Sequence, residues 1–210
     1  MNRYINQRRP TDKSAIPTVI FALLVTNGLL YAVSQLQPRF MFVNFALWPL
    51  ASTEAEFRIL QLLTYGFLHD LRGLGHIAFN MFGLWMFGRD LERMMGARRF
   101  LTYYLTCIIG AGIVQLIVAG MQGGIYPTIG ASGGVFGILL AFAMAFPNRV
   151  IMLLFPPIPM KAKYFVLMYG LLELYSGLSE RAPGIANFAH LGGMFFGFLL
   201  IQYWRHARKF

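Results

Sequence analysis

The chain has 210 residues, of which 57% are apolar and only 12% charged, with a mean hydropathy of +0.57. Soluble domains carry roughly 25% charged residues, so this chain lacks the polar side chains that a water-soluble globule of its size needs, and the composition points to an integral membrane protein. A formal net charge of +10 suggests nucleic acid in a soluble protein, but in a membrane protein it is tested first against the distribution of Lys and Arg between loops.

In chain order, residues 1–15 form a polar segment without apolar periodicity. No cleavable signal peptide is expected, because the first apolar run, 16–36, is too long for an h-region and has no small-residue cleavage site nearby. Further apolar runs cover 74–95, 99–120, 131–147, 164–178 and 185–204. The fourth and fifth are short of the ~20 residues a span needs. They call for tilt, local thinning or burial among other helices. The stretch 37–73 holds Trp48-Pro49, Phe57 and Tyr65-Gly66-Phe67-Leu68. It is too apolar for a solvated linker and too broken to span, which fits an interfacial, partly embedded loop. Pro156, Pro157 and Pro159 stop any helix between the fourth and fifth runs. The expected fold is therefore an all-α, six-helix membrane bundle over 16–205, with a short basic tail at 206–210. The single cysteine, Cys107, lies in an apolar run. It excludes an intrachain disulfide and reads as a small buried hydrophobe.

The basic residues give the bundle a direction. Arg3, Arg8, Arg9, Lys13, Arg89, Arg93, Arg98, Arg99, Arg149, Lys161, Lys163, Arg205, Arg208 and Lys209 fall on one side, which is all but four of the 18. Arg39, Arg58, Arg72 and Arg181 fall on the other. This bias puts both termini in the cytoplasm and explains the basic charge without nucleic acid. A prokaryotic plasma (inner) membrane is the expected location.

Polar residues inside spans are costly and are functional candidates by default. Ser132 sits in Gly130-Ala131-Ser132-Gly133-Gly134-Val135-Phe136-Gly137, near the outer start of the fourth span. A lone serine in a membrane helix most often packs or bonds back to a carbonyl. The glycines favour more, because they expose amide N–H groups at a helix N-terminus. The string also matches G-x-S-x-G, but no persuasive strand precedes it, so an α/β-hydrolase elbow is rejected. His190, Gly193 and Gly197 share one face of the sixth span. Gly193-xxx-Gly197 and Gly133-xxx-Gly137 are seams for close helix approach. Paired, they would bring the imidazole to the hydroxyl; unpaired, they are two packing seams. His76 and Asn80, at i and i+4, open the second span and read either as an interhelical clasp or as donors to a developing oxyanion. All four residues fall at extracytoplasmic span ends. Zinc is the competing use of His76 and His190, with His69 and Asp70 near enough in sequence to complete a set. Two His and one Asn form a poor set and HExxH is absent, so neither metal nor cofactor is expected. Glu173 is an intramembrane carboxylate that needs a partner. Glu92 is expected to pair with Arg89, Arg93 or Arg99.

Together these residues resemble the rhomboid family of intramembrane serine proteases. The resemblance covers about 39–205 and rests on Gly130-Ala131-Ser132-Gly133, Ala189-His190 with Gly193 and Gly197, and His76-xxx-Asn80, in the family's order. It implies a Ser132–His190 dyad without an acid and an oxyanion site of Ser132 N–H, His76 and Asn80. It also implies single-span membrane proteins as substrates, with lipids as the other partners. Two positions depart from the family. Phe57-Arg58 stands where Trp-Arg is frequent, leaving Arg58 to hold lipid phosphate or loop carbonyls. Phe136 stands where a Tyr packs on the histidine, so it can stack but not donate. A lid from Ser179 to Gly184 is a further expectation. The alternative is a catalytically silent binding protein or channel that uses the same polar cluster.

Overall fold

The computed structural model describes residues 16–152, 157–179 and 187–207. The expectations for 1–15, Pro156, Arg181, all of the 179–184 lid except Ser179, and 208–210 lie outside the described residues. Among the described residues there are six long helices: α1 (Thr18–Leu36), α4 (Gly75–Met95), α5 (Ala97–Gln122), α6 (Ser132–Ala145), α7 (Ala162–Ser179) and α8 (Asn187–His206). They lie within a few residues of the six expected runs. α1 and α5 are each long and apolar enough to cross a membrane. The outer faces of α1 and α7 expose Phe21, Leu29, Leu36, Leu171 and Leu178, surface that water would not tolerate in such a row. α6 has 14 residues, or about 21 Å of helix. That is short of a ~30 Å hydrocarbon core.

The long first loop is ordered by its own short elements: α2 (Pro38–Phe45), α3 (Gln61–Thr64) and a 3-10 turn η1 (Tyr65–Phe67). Gln61 is fully buried at its centre. Its side-chain oxygen accepts from the N–H of Trp48 and of Arg58, and its amide donates to the carbonyls of Glu56 and Asn44. Buried backbone groups need such partners, and one glutamine supplies four of them. Arg58 reaches the side chain of Asn44 at 3.3 Å, so here it braces the loop. The loop in turn holds the segment before α6. Leu47 and Thr128 exchange two backbone hydrogen bonds, and the Tyr65 carbonyl accepts from Gly130 N–H at 3.0 Å.

Between α6 and α7 the chain forms a small antiparallel hairpin, β1 (Val150–Met152) with β2 (Pro159–Lys161), in the register Val150 to Lys161. α6 already ends at Ala145, before Pro147 and well short of Pro157 and Pro159, and the strand pair between α6 and α7 was not anticipated. Pro159 is tolerated because it sits at the end of an edge strand.

The core is an aromatic layer from α4, α5 and α6, with Leu84, Phe100, Tyr103, Tyr104 and Ile138 fully buried. The glycine seams meet in part. A side chain on Gly193 would collide with the Gly133 carbonyl, so α6 and α8 touch backbone to backbone there. At the next turn, Gly137 and Gly197 instead receive Cys107 and Tyr103 from α5. Tyr103 donates to the Gly137 carbonyl at 2.7 Å. The second half of each seam is thus filled by α5 and not by its counterpart.

Glu92 departs from its expected ion pair. It is 4% exposed, and its two oxygens accept the N–H of Val19 at 2.9 Å and of Ile20 at 2.8 Å. These donors lie in the first turn of α1 and lack intrahelical acceptors. A carboxylate there also meets the positive end of the helix dipole. Asp90 takes the arginines instead, pairing with Arg149 and Arg93. Removing the cap strands two donors, so Glu92→Ala is expected to cost about 2–3 kcal/mol of stability. Glu92→Gln still accepts a hydrogen bond and loses less. Unfolding in detergent, followed by helical circular dichroism, measures the difference.

Candidate active site

Three helix N-termini and one helix C-terminal half converge at one end of the bundle. Ser132 is the first residue of α6, His190 the fourth of α8, and His76 and Asn80 lie in the first two turns of α4. Because α8 touches α6 at Gly193 and Gly133, His190 is held one turn above that contact, beside Ser132. Its Nε2 lies 2.7 Å from the Ser132 oxygen. Phe136, one turn on from the serine, stacks face to face on the imidazole, with centroids 4.3 Å apart and planes 4° apart. The stacking fixes the plane of the ring.

His76 approaches from the opposite side. Its Nδ1 accepts the Asp70 backbone N–H at 3.1 Å. That contact makes Nε2 the protonated nitrogen, because a neutral imidazole carries one donor and one acceptor. Gly130 lies between His76 and Ser132. Its φ is +124°, and a Cβ there would stand 2.9 Å from His76 Nε2 and 3.7 Å from the serine oxygen. The missing side chain is thus the space that both groups border. A glycine is required twice over, by the left-handed backbone and by the room. Ser132 opens α6, so its N–H has no intrahelical acceptor and faces the same end. Asn80 is 7% exposed and gives one of its two side-chain protons to the His76 carbonyl at 2.9 Å. Among the described residues its second proton has no such commitment.

Of the residues weighed as a metal set, His76, His190 and Asp70 have other polar contacts, whereas both ring nitrogens of His69 are buried without a hydrogen bond among the described residues. Asp70 lies in the first loop and pairs with Arg72 at 2.7 Å. That hydrogen-bonded guanidinium holds its carboxyl down at about 2. His69 is fully buried with its ring 5.1 Å from that of His76. Burial pushes its imidazole down to about 4, so it is neutral at pH 7. Among the described residues, no three His, Cys, Asp or Glu side chains converge as a metal set.

One contributor was not apparent in the sequence, and another was singled out there without its target. Asp70 acts through its backbone N–H, which no side-chain pattern encodes. Glu173 of α7 places Oε2 3.0 Å from His190 Nδ1, where the resemblance implied no acid. An acid in an otherwise apolar span was the available signal, but α7 gave no face by which to aim it.

The family model for the Rhomboid domain matches residues 56–206. The chain is 27% identical over 183 residues to Rhomboid protein 1, mitochondrial, of Saccharomyces cerevisiae, covering 86% of this chain and 51% of that protein. It is 34% identical over 144 residues to Rhomboid protease GluP of Bacillus subtilis, covering 66% of this chain and 24% of that protein. It is 27% identical over 130 residues to a mitochondrial presenilin-associated rhomboid-like protein of Rattus norvegicus, covering 62% and 34%. The chain thus spans about half the length of the first of these relatives and less of the others. With the domain match covering every residue of the site, the chain belongs to the rhomboid family of membrane-integral proteins.

Proposed function

We propose that this chain is an intramembrane serine endopeptidase that cleaves single-span membrane proteins in or near their spans. The observation that carries the reading is the 2.7 Å contact between Ser132 and His190, made across a glycine-cleared space from the N–H of His76. The relative named as a protease, GluP, is consistent with it. We place its six helices across a prokaryotic plasma membrane, and the basic-residue count supports both termini inside. The relatives are bacterial and mitochondrial, and in a mitochondrial inner membrane the same bias would face the matrix.

The chemistry is acyl transfer. His190 Nε2 takes the Ser132 proton as the oxygen attacks the substrate carbonyl carbon. The oxyanion forms between Ser132 N–H, His76 Nε2–H and the free Asn80 N–H. The C–N bond then breaks, and the imidazolium returns its proton to the leaving amine. Water, deprotonated by the same nitrogen, releases the acyl group. Water must therefore be admitted to the N-terminus of α6. A fluorophosphonate probe on the purified protein in detergent tests the reading. Ser132 is expected to be labelled, and Ser132→Ala is not. An unlabelled wild type would favour a silent binding protein or channel.

A donor to the oxyanion acts on the transition state, so Asn80→Ala and His76→Ala are each expected to lower kcat more than they raise KM. Loss of one such donor costs about 10²- to 10³-fold in a dry site. Both serve one oxygen, so the double variant is expected to lose less than the product. Steady-state cleavage of a labelled single-span substrate gives both constants. A change confined to KM would assign these residues to binding instead.

A further inference from the structure

His190 has two ring nitrogens, and the proposed peptidase mechanism uses only one. The other, Nδ1, is buried and has no hydrogen-bond partner. Glu173 Oε2 is likewise buried without one. The two orphaned atoms stand 3.0 Å apart. They are not aligned as a formal hydrogen bond, but each is the polar group at hand for the other, and buried polar atoms rarely stay unmet. The pair lies at the end of the bundle that holds the serine. Glu173 projects from α7, and the His190 and Glu173 side chains are only 12% and 15% exposed. A carboxylate that shielded interacts with an imidazolium far more strongly than one in water.

We propose that Glu173 is a positioning residue that completes a Ser132–His190–Glu173 triad in this chain. The role rests on the peptidase reading above. A carboxylate against Nδ1 selects the tautomer with its proton on that nitrogen. The lone pair is then on Nε2, aimed at Ser132, as a general base requires. When Ser132 gives up its proton, the positive charge formed on the ring is met by Glu173 on its edge and by the Phe136 face. The proton that moves is the serine's, and it passes from Ser132 to His190 Nε2 and on to the leaving amine. The other titratable group close enough to act on His190 is His76 from α4, and it lies on the oxyanion side.

The test compares Glu173→Gln, Glu173→Asp and wild type, with thermal unfolding in detergent to establish that each is folded. Gln keeps shape and loses charge; Asp keeps charge and loses a methylene. Glu173→Gln is expected to lower kcat on the order of 10- to 10³-fold with KM unchanged. That is less than the ~10⁴-fold loss on amide replacement in a serine-protease triad, because Phe136 also holds the ring. Fluorophosphonate labelling of Ser132 should slow in proportion. Glu173→Asp should recover much of the rate. If Gln matches wild type, or if Gln outperforms Asp as a mere space-filler would, the triad is overturned. Should the amide fail to fold, Glu173→Met removes the buried charge altogether and carries the same kcat readout. A wild type that neither labels nor cleaves would overturn the peptidase reading itself, whereas a reactive wild type with an equally reactive Gln variant would overturn only the role of Glu173.

Discussion

Ser132→Ala is expected to abolish cleavage, with a loss of about 10⁶-fold in kcat, as for loss of the nucleophile in a soluble serine protease. The side chain contributes little else. Its hydroxyl contacts His190 and is not part of the helix ladder. Removing it leaves Nε2 without a neighbour at a cost of about 1 kcal/mol, so the unfolding temperature should stay close to that of the wild type. His190→Ala should lose a similar factor, and the double variant should lose no more than either, because the two residues act as one unit. The measurement is turnover of a labelled single-span substrate by protein purified free of host peptidase. Turnover by Ser132→Ala near the wild-type rate would end the Ser–His reading.

The second large effect comes from a residue that touches no substrate. Gly193→Ala places a methyl group against the backbone of Gly133. A side chain in that position could swing aside, but a carbonyl in a helix cannot, so α8 must move away from α6. Gly133 follows the serine directly and Gly193 lies one turn after the histidine, so the gap opens at the dyad. Overpacking of this kind costs about 1–3 kcal/mol, and misplacement of reacting groups by ~1 Å costs about 10²-fold in rate. Both losses are expected together, read by thermal unfolding and by fluorophosphonate labelling. Gly120→Ala on α5 is the control, because a Cβ there meets nothing within 4 Å. Its activity should equal that of the wild type. An active, stable Gly193→Ala would show that the helices can part without separating serine from histidine.

The helices were legible because apolar runs and proline stops are local signals. The end of the bundle that carries Ser132, His190, His76 and Asn80 was legible because Lys and Arg mark sides independently of any motif. Contacts set by three dimensions were not. Glu92 was assigned to arginines one, three and seven residues away, whereas its partners, Val19 and Ile20, lie over 70 residues upstream. Glu173 stood out as a charge in an apolar span, but its target depends on how α7 is rotated against α8. Gln61 was missed entirely. A glutamine in a loop is unremarkable until the surrounding backbone is found buried with its donors and acceptors turned inward.

The clasp of Glu92 on α1 also bears on how the protein is made. The acceptor lies 72 and 73 residues downstream of the donors it satisfies. At 5–20 residues per second, the ribosome needs roughly 4–15 s to supply it. Through that interval the first turn of α1 has only water and lipid headgroups to meet its N–H groups. A nascent chain stalled before α4 therefore presents a first helix with a frayed, open end, and one that has passed α4 does not. Completion of this one contact therefore separates a chain whose α4 has been made from one whose α4 has not, before the serine has been translated.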